Sequence, residues 1–239
     1  MIGRRSLRAG APPPRSPRPV RPRRRGPAGP PLLSLVLVPA AATLAVTVLR
    51  LAGELLEWDP RYFSRAPGGG LAVVGIAWLV PLVGFYLGHR LARAGQSPAS
   101  LARAAGLPLA ALVLVPVAAL MAPRLGLGAS PTGYLVVWAV GAVMAVVVAF
   151  AAWPTLGRAL LTYAVLARLP VVAVMWAAIR WNWQTHYDAP PPVFPSVTPM
   201  LRWMWTGVLP QLTIWVAWTV VVGALFGALG WYLASRQAR

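Results

Sequence analysis

Long apolar runs, separated by short polar segments, dominate the pattern of this 239-residue chain. An α-helix rises about 1.5 Å per residue, so runs of this length cross most or all of a bilayer core of about 30 Å. The pattern predicts an all-α integral membrane protein in which residues 31–235 form one transmembrane domain. Six spans are predicted, at 32–49, 71–87, 107–122, 134–152, 159–179 and 208–233.

Proline interrupts several of these predicted spans. A proline inside a helix frees the carbonyl four residues earlier, so several kinked helices are expected. The pentapeptide LVLVP occurs at 35–39 and again at 112–116, which fits either a duplicated hairpin or chance in a sequence rich in Val and Leu. The prolines concerned are Pro39, Pro81, Pro116, Pro170 and, near the start of the last span, Pro210.

Residues 1–30 differ from the rest of the chain, because they are rich in Pro and carry nine Arg and no acid. With few large apolar side chains, this segment is predicted to be a disordered basic tail. Basic tails are drawn to anionic lipid head groups, at about 1 kcal/mol per Arg close to the surface. The Arg4–Arg5 pair and the PPPRSPRP run leave open an export signal, a proline-rich ligand or a mis-assigned start.

Arginine placement predicts the orientation, since short loops with excess positive charge stay in the cytoplasm. The basic tail and the Arg90–Arg103 loop favour a cytoplasmic N-terminus, and six spans return the C-terminus to the same side. All four acids then lie in two outer loops, at 51–70 and 181–207. The expected location is a multi-pass position in a bacterial-type inner membrane, with a homo-oligomer or hetero-oligomer left open.

The composition excludes several kinds of chemistry. All 22 basic side chains are Arg, and the chain has no Cys and two His. Lysine-based catalysis, thiol nucleophiles, disulfides and zinc–thiolate sites are therefore excluded. No catalytic, metal-binding or cofactor-binding motif stands out, and no specific nucleic-acid binding is expected.

Arg168 is the residue whose burial in a predicted span costs the most free energy. A charge near the middle of a bilayer costs at least about 2.5–3.5 kcal/mol, and no acid occurs in any predicted span to neutralise it. Carbonyls and a few waters would satisfy it structurally, whereas an anion or a lipid phosphate would make it a binding site. A third reading places residues 154–168 along the membrane interface as an amphipathic helix.

A second group of polar residues falls in the predicted outer loops. Residues 50–58 have helical spacing, with Arg50–Glu54 and Glu57–Arg61 predicted as surface ion pairs four residues apart. An ordinary hydrogen-bonded loop, a metal site and acid–base chemistry all remain open for the outer-face residues. These residues are Glu54, Glu57, Asp59, His186 and Asp188.

Two GxxxG patterns occur, at Gly84 and Gly88 and at Gly223 and Gly227. Small residues at this spacing let helix backbones approach closely. The patterns fit packing within one chain, homodimerisation or no role at all.

Three functions follow as hypotheses. The first is a non-enzymatic accessory, scaffold or lipid-interacting membrane protein. The second is a small transporter or channel that uses Arg168 to contact an anionic solute. The third is a membrane enzyme or metal site that uses His186, Asp188, Glu54 and Glu57.

Overall fold

The computed structural model describes residues 30–70, 72–126, 131–190 and 196–237, and these residues form helices and connecting segments without a strand. The predicted basic tail lies outside the described residues, apart from Pro30. The sixth helix is built from consecutive segments, including a π-helical turn at Trp203–Val208. The helices are α1 (Leu32–Leu55), α2 (Leu79–Arg93), α3 (Leu101–Met121), α4 (Pro131–Ala152), α5 (Pro154–Trp181) and α6 (Pro199–Gln237).

Four of these helices, α1, α3, α5 and α6, are long and apolar enough to cross a membrane. Their surfaces are unlike those of a soluble bundle, since large apolar side chains such as Val38 and Leu120 are more than two-thirds exposed. Lipid can cover such side chains, whereas water would leave a large apolar patch unsatisfied. The all-helical membrane character predicted from the sequence is therefore confirmed, while the number of spans stays a prediction.

The C-terminal part of α6, Ile214–Gln237, is the centre of the bundle and contacts α2, α3, α4 and α5. Helix α1 packs mainly on α5. Small residues make these close contacts possible, because Ala159, Ala164 and Ala224 are buried where the helices meet. A stripe of small side chains is the usual way to pack helices in a membrane, where apolar side chains gain little by leaving lipid.

Helices α2 and α6 touch along their glycines. A Cβ atom built on Gly84 would lie 2.6 Å from the Gly223 Cα, and one built on Gly88 would lie 2.6 Å from the Gly227 Cα. The two helices run parallel, since residue numbers rise together along both. The four glycines therefore form one contact inside the chain. A larger side chain at Gly84 or Gly88 would collide with the backbone of α6, and one at Gly223 or Gly227 would collide with a leucine side chain of α5.

Helices α1 and α5 also run parallel. The Thr43 and Tyr163 hydroxyls lie 2.8 Å apart in the bundle interior, and farther along, Glu54 meets the loop that follows α5. We call this part of the molecule, where α1 and α5 end and α2 and α6 begin, the Glu54 end. It carries the polar residues described below.

The start of α2 differs from the prediction. The sequence places the second span from residue 71, but α2 begins at Leu79, directly after a short 3₁₀ turn at Ile76–Trp78. Gly75 is extended and the Val74 carbonyl accepts a hydrogen bond from Arg50, so this segment is held by α1 instead of continuing a helix. Pro81 consequently lies in the first helical turn, where a missing N–H costs nothing. A kink at Pro81 was wrongly predicted.

The start of α6 also differs. It begins at Pro199 inside the predicted outer loop 181–207, with the Thr198 side chain accepting a hydrogen bond from the Leu201 N–H. The Trp203 Nε1 donates to the Val172 carbonyl of α5 and fixes this start. Pro210 follows the π-helical turn, which matches the local widening expected where proline removes a backbone donor.

Candidate functional site

A cavity of about 680 Å³ opens at the Glu54 end, between α1, the 67–78 segment, α5, the loop after α5 and the start of α6. Its size is typical of sites that hold a small molecule. The walls are mainly apolar and aromatic. Among them are Trp78, Tyr187, Trp205 and Trp215, and the polar groups among the described lining residues include Arg50, Arg168, His186, Thr206 and Gln211.

Arg168 reaches this cavity from the middle of α5 and is 3% exposed. Its Nη1 donates to the Gln211 Oε1 at 3.3 Å, and its guanidinium carbon lies 4.9 Å from the centre of the Trp215 ring. Its Nε is buried and has no hydrogen-bond acceptor among the described residues. The buried charge is therefore held by one amide and one aromatic face, both from α6.

Arg50 is the second buried guanidinium at the cavity, and it makes four hydrogen bonds within the protein. Its Nε donates to the Glu54 Oε1 at 2.8 Å, and its other nitrogens donate to the carbonyls of Ser64, Gly69 and Val74. Gly69 has a φ of +81°, and a side chain there would collide with the guanidinium. Arg50 thus ties the connection between α1 and α2 onto the end of α1.

Glu54 is completely buried in the last turn of α1. Its carboxylate accepts hydrogen bonds from the Arg50 Nε, from the His186 N–H at 2.8 Å and from the His186 Nδ1 at 2.5 Å. The Arg65 guanidinium binds the Glu54 carbonyl. The predicted surface pair is in fact a buried network, because this face of α1 is covered by both connecting loops.

His186 lies between Glu54 and the cavity. A carboxylate that accepts from Nδ1 fixes the neutral tautomer with its proton on Nδ1, which leaves Nε2 as the nitrogen that can take up a proton. Burial lowers the pKa of His186 below its ordinary value, the Glu54 hydrogen bond opposes this, and the Arg50 charge adds to the lowering. The net lowering of the pKa favours the neutral imidazole at pH 7.

Asp188, another of the predicted outer-face residues, stabilises the loop that carries it. Asp188 closes its own loop, since its carboxylate accepts from the Gln184 N–H, the Thr185 N–H and the Thr185 hydroxyl. Tyr187 lies beside it, and burial raises the pKa of its phenol. The loop geometry therefore presents His186 and Tyr187 to the cavity.

Glu57 and Asp59 do not join this group. Glu57 is exposed and pairs with Arg65 at 3.2 Å, instead of the predicted Arg61. Asp59 is exposed and accepts a hydrogen bond from the Arg61 N–H. The structure brings Glu54 and His186 together and leaves these two acids outside, and within the described residues no group of three or more His, Asp or Glu has a metal-binding arrangement.

The charges at the cavity do not cancel. Arg50 is paired with Glu54, His186 is neutral, and Arg168 has no acid within reach, so the described side chains leave one positive charge. Two residues of this site went unrecognised in the sequence, namely Arg50 as a buried group and Gln211 beside Arg168. A polar amide directly after Pro210 in an apolar run is the signal that points to Gln211.

No family model, curated protein or solved structure matches this chain.

Proposed function

We propose that this chain is a non-enzymatic, lipid-interacting membrane protein that binds the anionic group of a ligand in the cavity at Arg168. The observation that carries the proposal is a buried guanidinium with no acid, at the wall of a cavity of about 680 Å³. A charge buried without an acid is expensive, and an anion in the cavity would repay that cost.

The walls of the cavity fit the same ligand. Besides Arg168, the lining supplies hydrogen-bonding groups at Gln211 and Thr206, and aromatic rings at Trp205 and Trp215. Such a combination suits a polar anionic group attached to a less polar body. This description fits the phosphate or carboxylate of a lipid head group. It fits the same group on a small solute equally well.

The experiment compares anion binding by wild-type protein and by R168Q. Purified protein in nanodiscs of zwitterionic lipid is titrated with inorganic phosphate and with acetate, and a parallel sample contains phosphatidylglycerol. R180Q is the matched control, because Arg180 is an exposed arginine in the last turn of the same helix. We expect R168Q to lose at least about tenfold in affinity, as for a lost charge-assisted bond of ~1.5–3 kcal/mol, and R180Q to keep it.

The two ligand sources give different results. Binding of phosphatidylglycerol that survives excess phosphate indicates a lipid head group, whereas tight binding of soluble anions in zwitterionic nanodiscs indicates a solute. Equal binding of every anion by wild type and R168Q, or no binding by either, refutes the proposal.

Transport of the bound anion is a second candidate, favoured by the interruption of α6. The π-helical turn at Trp203–Val208 and Pro210 lie next to Gln211, which holds Arg168. Broken helices beside a charged residue are typical of transporter binding sites. Flux of phosphate into proteoliposomes, lost in R168Q and kept in R180Q, supports this candidate, and an absence of flux with binding intact dismisses it.

The proposed topology is six spans with both termini in the cytoplasm of a bacterial-type inner membrane. The parallel pairs α1–α5 and α2–α6 support it, since alternate crossing gives helices two or four places apart the same direction. The chain has no Cys, so a single introduced Cys can report its side of the membrane by labelling with an impermeant maleimide. Labelling from outside at a Cys in the loop between α2 and α3 contradicts the topology.

A further inference from the structure

His186, which Glu54 holds at the cavity, becomes a second positively charged group there when its ring is protonated. Its geometry is that of a carboxylate that holds an imidazole by Nδ1, with the His186 backbone N–H bound to the same carboxylate. This double contact fixes the ring against the wall of the cavity that Arg168 also lines. A proton on Nε2 would place a positive charge on that wall.

We infer that the cavity takes up one proton, on His186, when it binds a doubly charged anion of the phosphate-monoester class. This inference rests on the anion-binding function proposed above and names the ligand class. A singly charged anion needs only Arg168 to cancel its charge. A doubly charged anion leaves one negative charge, and the imidazolium supplies the missing positive charge.

The surroundings of His186 explain why the proton comes with the anion. Burial and the Arg50 guanidinium disfavour the charged ring, and the Glu54 carboxylate is already shared with Arg50. A bound dianion adds an attractive charge and raises the affinity of the ring for a proton, and by reciprocity a proton raises the affinity for the dianion. The titratable and charged groups facing His186 or its cavity are Arg50, Glu54, Arg168, Tyr187 and Asp188.

Sulfate and methyl sulfate test the inference, because neither changes its charge between pH 5.5 and pH 7.5 and they differ by one negative charge. Calorimetric titration of wild-type protein in zwitterionic nanodiscs, in buffers with different heats of ionisation, counts the protons taken up. We expect close to one proton per sulfate near pH 6 and none per methyl sulfate. Sulfate affinity should rise by close to tenfold per pH unit as the pH falls through about 6, because the uptake of one proton per anion gives that slope.

The two histidines of the chain provide the control. H186Q should bind sulfate without proton uptake, whereas H89Q should behave as wild type, because His89 lies in α2 toward the opposite end. In H89Q protein labelled with ¹⁵N-histidine, the single remaining imidazole should gain a proton on addition of sulfate at pH 6.5. This measurement needs no change at His186 itself.

The outcomes separate this inference from the proposed function. Sulfate binding that depends on Arg168 but takes up no proton overturns the inference and leaves the anion site intact. Proton uptake that persists in H186Q, or an imidazole that stays neutral in H89Q with sulfate bound, overturns the role of His186. An absence of binding for every anion removes the site and the inference together.

Discussion

Removal of the Glu54 carboxylate should be among the most damaging single changes at the Glu54 end. The E54A change deletes three contacts, from the Arg50 Nε, the His186 N–H and the His186 Nδ1, in a side chain with no exposure. Breaking a buried ion pair by removing one member costs about 3–5 kcal/mol, because the other charge stays buried. Arg50 keeps its three backbone carbonyls, so we expect a value toward the lower end of that range.

The assay is unfolding of purified protein in mixed micelles, followed by tryptophan fluorescence. E57A is the matched control, because Glu57 lies three residues later, is 75% exposed and has one ion pair. Exposed pairs contribute about 0–1 kcal/mol, so E57A should unfold close to wild type. E54Q should fall between the two, since an amide keeps one acceptor and loses the charge. A loss below about 1 kcal/mol for E54A, equal to that of E57A, would refute the buried network.

Two further predictions concern packing and pH. G88A should lower the free energy of unfolding by about 1–3 kcal/mol, because the new Cβ would lie 2.6 Å from the Gly227 Cα. G106A is the control and should not lower the free energy of unfolding, because no atom of the described part of the chain lies within reach of a Cβ on Gly106. The stability of wild type should fall as pH drops through about 6.5, because burial lowers the pKa of folded His186 and the unfolded chain then binds the extra proton. Unfolding midpoints measure both effects.

Each of these two predictions has a clear contrary result. Equal midpoints for G88A and G106A would show that α2 and α6 do not meet at their glycines. The pH effect amounts to at most about 1.4 kcal/mol per pH unit for one proton, and it should be smaller in H186Q than in wild type. An unchanged pH dependence in H186Q would assign the effect to another group.

The apolar runs were enough to predict the helices, because a segment that must satisfy its own backbone in lipid has few alternatives to a helix. The boundaries were harder where a loop is held by distant side chains. Residues 72–78 look like part of a span by hydropathy, yet Arg50 binds their carbonyl at Val74 and keeps them out of α2. Hydropathy cannot report a contact of this kind.

The candidate site also has residues whose surroundings could be predicted from the sequence and residues whose surroundings could not. The sequence was enough to predict that Arg168 lies deep in its span and that the span contains no acid, since both features depend on local sequence. The burial of Glu54 was not, because the i,i+4 spacing of Arg50 and Glu54 is the same on an exposed helix as on a covered one. The two loops that cover this face of α1 decide which applies, and one of them contacts Glu54 from 132 residues later, through His186.

The parallel pairing of α1 with α5 has a consequence for biogenesis. Tyr163, the partner of Thr43, is synthesised 120 residues after it, and His186, the partner of Glu54, is synthesised 132 residues after it. At about 5–20 residues per second of translation, α1 stays without these contacts for roughly 6–26 s. During that time Arg50 and Glu54 can neutralise each other within α1, four residues apart. The nascent chain thus has this ion pair available before α5 and α6 are synthesised, and the folded structure keeps it.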